Sequence, residues 1–243
     1  MKASFSEAIV KENALGFTAL IPDIKRISPK TGELFRGRDP AETAARLVGM
    51  GAPVLSVVTE PEQFGGSAEL LRNITKRVDV PILRKDFIKD EEALYETRDI
   101  GASAVLLICA VTDGKTLAAL CEKAAQIGLE PLVEVHTREE MAFAVKLGCR
   151  LIGVNNRDIT ALEMDNGGPS RTEALAAGIP AGSLLISESG IITPADAKLA
   201  ASAGANAILV GTALWLAEDM DEAYRSLRVP YCTRKGGAVC VPS

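Results

Sequence analysis

Sorted into apolar and polar positions, the chain repeats one event: an apolar run of strand length stops abruptly at polar or charged side chains. The runs are Phe17 to Lys25, Val54 to Val58, Ile82-Leu83, Ala104 to Ile108, Pro131 to Val135, Leu151 to Asn155, Leu184 to Ser187 and Ala207 to Val210. Their apolarity is continuous rather than alternating, which predicts strands buried on both faces, hence a parallel sheet joined by crossover helices. Helix starts lie between them. Asp39-Pro40-Ala41-Glu42 offers an N-cap acceptor, a proline at the first helical position and a glutamate at the third; the acceptor and glutamate return at Thr137-Arg138-Glu139-Glu140, and Thr193-Pro194-Ala195-Asp196 is a variant with Asp in the third position. Gly51, Gly101, Gly128, Gly148, Gly178 and Gly204 each precede a new apolar run and suit left-handed helix stops. Phe5 to Asn13 reads as a short amphipathic helix.

Eight strand-helix units in one chain of this length predict a single-domain (β/α)8 TIM barrel over residues 1–229, followed by a loose tail over 230–243. A doubly wound sheet is the structural alternative, but no G-x-G-x-x-G turn follows the first strand. Composition agrees with a soluble globular protein: 243 residues, 47% hydrophobic, 24% charged. A net charge of -5 without a dense basic cluster argues against nucleic acid, and no apolar run is long enough for a membrane span. A cytoplasmic, monomeric protein is expected. The cysteines, Cys109, Cys121, Cys149, Cys232 and Cys240, are scattered, and His136 is the sole histidine, so no metal is expected.

In such a barrel chemistry belongs at the C-terminal strand ends. Those ends carry Asp23 and Lys25, Thr59 and Glu60, Lys85 and Asp86, Glu134, Asn155 and Arg157, Glu188 and Ser189, then Gly211 and Thr212. Lys25 and Lys85 facing one cavity with Glu134 and Glu188 suit anion binding and proton transfer. Ser189-Gly190 after the seventh strand and Gly211-Thr212 after the eighth suit a phosphate held on backbone N–H groups. A glycosidase pair of Glu134 and Glu188 ranks low, because two lysines in the same mouth would hold both carboxylates ionised.

These stretches resemble one family, indole-3-glycerol phosphate synthase. The resemblance rests on Asp23-Ile24-Lys25-Arg26-Ile27-Ser28-Pro29, on Ser56 to Pro61 with Phe64-Gly65-Gly66-Ser67, and on Pro81 to Phe87. It continues through Leu132 to His136, Gly153-Val154-Asn155-Asn156-Arg157-Asp158, Ser187 to Ile191 and Leu209-Val210-Gly211. It implies a carbon-carbon lyase that cyclises and decarboxylates 1-(2-carboxyphenylamino)-1-deoxyribulose 5-phosphate, with no cofactor and a small phosphorylated substrate as its partner. It further implies Lys85 as general acid, Lys25 at the substrate carboxylate and in dehydration, Glu134 as general base, and Asp23 as the catalytic acid of the first strand. Asn155, Arg157 and Glu188 match substrate-orienting positions. Phe87 and Leu106 or Leu107 match pocket walls, and Ser28, Ser189, Gly190, Gly211 and Thr212 match the phosphate grip. Two departures stand out: Asp23 where the family has Glu, and a short segment, Met1 to Gly16, before the first strand. Both are expected on the substrate side of the barrel. A paralogue acting on another phosphorylated substrate, or a non-catalytic phosphate-binding barrel, are the alternatives.

Overall fold

A computed structural model describes residues 3–157 and 168–233. Asp158 and residues 234–243, with Cys240, lie outside the described residues. The eight apolar runs form β1 (Ala19–Ile24), β4 (Leu55–Val58), β5 (Ile82–Lys85), β6 (Ala104–Ile108), β7 (Glu130–Val135), β8 (Leu151–Asn155), β9 (Leu184–Glu188) and β10 (Ala207–Val210). All pair in parallel, in the closed order β1-β10-β9-β8-β7-β6-β5-β4, with β4 returning to β1. The expected (β/α)8 barrel is present.

Strand parity sorts the side chains into two cores. Ile21, Leu83, Leu106, Leu132, Leu151 and Ile186 belong to an interior cluster, whereas Leu20, Val57, Val105, Val133, Ile152 and Ile208 pack outward among the helices. Both sets are buried, which is why the strands read as continuous apolar runs. The same parity aims the polar ends: Asp23 follows Ile21, Lys85 follows Leu83, and Glu134 follows Leu132.

The helix starts form as their sequences require. Asp39 accepts from Glu42 N ahead of α2 (Pro40–Gly49), and reciprocal capping boxes open α6 (Arg138–Lys146) and α8 (Pro194–Ser202). Five of the six expected glycine stops have positive φ, from 71° at Gly148 to 103° at Gly51. Gly178 does not. It ends a single 3-10 turn, Ala176–Gly178, where an added Cβ would lie 3.0 Å from Met141 Cγ, so close packing against a side chain rather than a left-handed backbone favours glycine there.

Between β1 and α2, β2 (Ile27–Ser28) and β3 (Gly32–Glu33) pair as a small antiparallel hairpin. The expectation that the segment before the first strand lies on the substrate side is corrected. The N-terminal helix α1 (Phe5–Ala14) lies at the opposite end of the barrel from the substrate side. Ser6 N donates to Glu130 at the start of β7 (3.0 Å), and Asn13 Nδ2 donates to the carbonyl of Asn206 just before β10 (2.8 Å). Phe5 and Ile9, both fully buried, plug that end, each contributing roughly 1.5–3 kcal/mol of apolar burial. The chain around Pro230 is pinned to the same end: Thr18 N donates to Val229 O, Tyr231 N donates to Gly16 O, and Arg228 pairs with Glu12 at 2.7 Å.

Cys149 is buried, and Cys109 and Cys121 pack half-buried against the outer core, as small apolar residues would. Burial, with smaller contributions from nearby acidic groups, pushes the Cys109 thiol up to about 12. Among the described residues, no helix is long and apolar enough to cross a membrane.

Candidate active site

The C-terminal strand ends surround an open cavity with about 920 Å³ of empty space, part of it open to solvent. Of the residues expected at the site, Asp23, Lys25, Lys85, Phe87, Leu106 and Glu134 line it, as do Asn155, Arg157, Ser189, Gly190, Gly211 and Thr212. Strand parity settles the choice between the two leucines: Leu106 faces the cavity and Leu107 faces the helices.

Lys85 ends β5 with its ammonium 3.6 Å from Glu134 Oε2 and 3.8 Å from Glu188 Oε2. Glu134, at 0% exposure, has its other oxygen 3.2 Å from Asn155 Nδ2, which donates to it, and 3.5 Å from His136 Nε2. Asn155 is fixed at its other end, accepting from Arg157 N, while Arg171 from α7 (Ser170–Leu175) donates to the carbonyls of both Asn155 and Arg157 at 2.7 Å. Asp23 is held by Ser56 Oγ, which donates at 2.6 Å, and its carbonyl accepts from Trp215 Nε1. Lys25 is 5.7 Å from the centre of the Phe64 ring.

Behind Lys85, Arg84 faces outward and is buried. Its guanidinium reaches Thr59 Oγ1, Glu96, Thr97 and Asp86, and Asp86 in turn accepts from Phe87 N at 2.8 Å. The loop that presents Lys85 and Phe87 is thereby fastened to α4 (Glu91–Ile100).

Two expected residues do not reach the cavity. Ser28 is buried in the β2–β3 hairpin rather than lining it. Glu188, at 0% exposure, lies beneath the lining, where burial and then the adjacent Glu134 push its carboxyl up to about 8 despite the opposing charge of Lys85.

The sequence reading missed two other residues. Phe64 forms a wall because the Glu60 carboxylate accepts the N–H groups of Glu62, Gln63 and Phe64, curling the loop. A Cβ on Gly66 would meet Val58 O and lie 2.7 Å from Thr59 C, so the loop must pass there as bare backbone. An aromatic beside a glycine pair just after a strand was the available signal. The second, Asn156, is buried at 4% exposure and donates from Nδ2 to Ser187 Oγ, Glu188 O and Ser189 O. It fastens the end of β9, where Ser189 holds a left-handed φ of 62° and Gly190 one of 70°. A non-glycine residue kept in that conformation marks strain retained at a site.

Among the described residues, no group of three or more His, Cys, Asp or Glu side chains is arranged to hold a metal ion. The cavity brings two ammonium groups and a buried carboxylate beside a strand-end backbone suited to anions.

Comparison with known proteins agrees with that geometry. A family model described as indole-3-glycerol phosphate synthase matches residues 1–227. Proteins named indole-3-glycerol phosphate synthase are 45% identical in Pyrococcus furiosus over 203 residues, covering 84% of this chain and 88% of that protein, and 44% identical in Kineococcus radiotolerans over 208 residues, covering 86% and 75%. A further synthase of that name, from Listeria monocytogenes, is 42% identical over 210 residues, covering 86% and 82%. Among solved structures, an N-acetylmannosamine-6-phosphate 2-epimerase from Clostridium perfringens superposes with a TM-score of 0.66 at 17% identity, covering 83% of this chain and 89% of that one, a likeness of fold alone. With a match over nearly its whole length and paired lysine and glutamate at the strand ends, the chain belongs to the indole-3-glycerol phosphate synthase family.

Proposed function

We propose that the protein is an indole-3-glycerol phosphate synthase, closing the indole ring of 1-(2-carboxyphenylamino)-1-deoxyribulose 5-phosphate with loss of carbon dioxide and water. The observation that carries this reading is Lys85, whose ammonium lies 3.6 Å from the buried Glu134 carboxylate in a cavity that Lys25 also lines.

In this reading the ring carbon that bears the carboxylate attacks the ketone, and the Lys85 ammonium gives a proton to the developing alkoxide. Carbon dioxide then leaves, and the electron pair of the broken carbon-carbon bond restores the aromatic ring. Lys25, beside Asp23, supplies a proton to the departing hydroxyl, while Glu134 removes a carbon-bound proton to form the last double bond. Phe64, Phe87 and Leu106 sandwich the anthranilate ring, Asn155 and Arg157 orient the polar chain, and the backbone at Ser189, Gly190, Gly211 and Thr212 takes the phosphate.

Incubation of the purified protein with the anthranilate-ribulose phosphate tests the assignment. Appearance of indole fluorescence is expected, and its absence at high enzyme concentration rejects the synthase reading.

A further inference from the structure

Glu188 poses an electrostatic problem that the reaction as drawn does not use. The cluster beneath the cavity holds three carboxyls, Asp23, Glu134 and Glu188, against two ammonium groups, Lys25 and Lys85. Each of the five is at least nine-tenths buried except Lys85, whose side chain is 21% exposed. Fully ionised, these five groups sum to one negative charge, with His136 Nε2 the neighbouring titratable group at 3.5 Å from Glu134, and an unpaired buried charge is strongly disfavoured. Among the described residues, no donor hydrogen-bonds either oxygen of Glu188 or Oε2 of Glu134. One added proton cancels the charge and gives one carboxyl a hydrogen to donate to its neighbour.

The backbone has been shaped for this arrangement. Gly153 lies directly across from Glu134 in the β7–β8 register, and Asn155, two residues on, lies across from Glu188 in the β8–β9 register. Glu188 therefore has to lean over β8 at Gly153 to reach Glu134. A Cβ at Gly153 would overlap Glu188 Oε1 and lie 3.1 Å from its Cδ, while its next neighbour, Leu132 Cδ1, is an ordinary contact at 3.4 Å. The obstruction would fall on a flexible carboxyl end rather than on backbone, so a side chain at Gly153 would displace the carboxyl while leaving the strand in place.

We propose that Gly153 is a positioning residue whose missing side chain lets Glu188 lie against Glu134, and that the two carboxyls share one proton, carried by Glu188, beneath Lys85. Glu134 is then the ionised member that faces the cavity and can accept a proton, while Glu188 acts only through it. The raised Glu188 carboxyl, near 8, which burial and then the adjacent Glu134 charge bring about, agrees with this state. The groups facing Glu188 are Glu134 on β7, Lys85 on β5 and Asp23 on β1. The role of Glu134 rests on the synthase reading; the shared proton does not.

The test is infrared spectroscopy of the whole protein with and without carbon-13 glutamate. At neutral pH the wild type is expected to show the carbonyl band of a buried, protonated carboxyl that shifts with the label and disappears in Glu188→Gln. Gly153→Ala should shift or lose that band and lower kcat by roughly 10²-fold with KM little changed, as for a ~1 Å misplacement behind the reacting group. The shorter acid in Gly153→Ala/Glu188→Asp should recover part of the rate. If Gly153→Ala does not fold, the wild type and Glu188→Gln still decide the question. A wild type without the band, or a Gly153→Ala protein with wild-type band and kcat, overturns the proposal. A protein that shows the band but makes no indole instead overturns the synthase reading and leaves the shared proton standing.

Discussion

Asn156→Ala probes how the cavity keeps in shape the end proposed to take the phosphate. Asn156 Oδ1 accepts from Thr172 N (3.0 Å) and Thr172 Oγ1 (2.9 Å), while Nδ2 donates to Ser187 Oγ, Glu188 O and Ser189 O at 2.9 to 3.0 Å. Truncation does not orphan all five partners. Glu188 O keeps the bond from Asn156 N, and the hydroxyls of Thr172 and Ser187 keep each other at 2.7 Å. Thr172 N and Ser189 O lose the Asn156 side chain, at about 1–3 kcal/mol each, so the expected loss is about 2–6 kcal/mol. For a domain of this size that lowers Tm by roughly 4–24 °C. The second readout is functional. Ser189 holds its left-handed φ of 62° against a cost of about 1–2 kcal/mol, and freeing its carbonyl lets the backbone relax away from the position proposed for the phosphate. Thermal unfolding followed by circular dichroism, with substrate titration of the folded variant, measures both effects, and KM should rise more than kcat falls. A stability loss below about 1 kcal/mol together with an unchanged KM would refute this reasoning.

Other substitutions separate the remaining roles. Lys85→Met should lower kcat by about 10²–10⁴-fold, the usual value of a general acid, and a steady-state assay retaining more than a tenth of the rate would remove Lys85 from that role. Asp23→Glu extends the carboxylate past the Ser56 hydroxyl that holds it at 2.6 Å, and kcat should rise by up to ~10²-fold if reach limits the first-strand acid; an unchanged rate would show that Asp23 is already long enough. For pH dependence, the folded Glu188 carboxyl is raised from 4.5 to about 8, so the native state binds more protons than the unfolded chain in that window. Its contribution is fully present below pH 4.5 and is lost as pH rises through about 8; Glu188→Gln should flatten that part of the denaturant-measured stability profile, and an unaltered profile would contradict the assignment.

The barrel was legible because strands buried on both faces must be apolar throughout, so each run ended visibly where it met water. Alternation then identified the inward members: Lys85 in phase with Leu83, Glu134 with Leu132, and Asn155 rather than Asn156 with Leu151. Depth was not legible in the same way. Glu188 has the right parity, but its place beneath the cavity depends on Gly153 one strand away, and parity along a single strand carries no such information. Phe64 escaped notice because its loop is curled by three N–H donations to Glu60, an arrangement that residue types alone do not announce. Gly178 misled because helix stops and close approaches both select glycine, and only the neighbour Met141 tells them apart. The end of the barrel that α1 covers was decided by its partners, Glu130 and Asn206, which lie far from it in sequence.

The account stands most directly on where the substrate sits, which a crystal structure of the protein with indole-3-glycerol phosphate decides. The expected complex has the phosphate on the backbone at Ser189, Gly190, Gly211 and Thr212 and the indole ring between Phe64, Phe87 and Leu106, with Lys85 and Glu134 on either side of the newly formed bond. A product whose phosphate lies elsewhere, or whose ring leaves Lys85 out of contact, would contradict it.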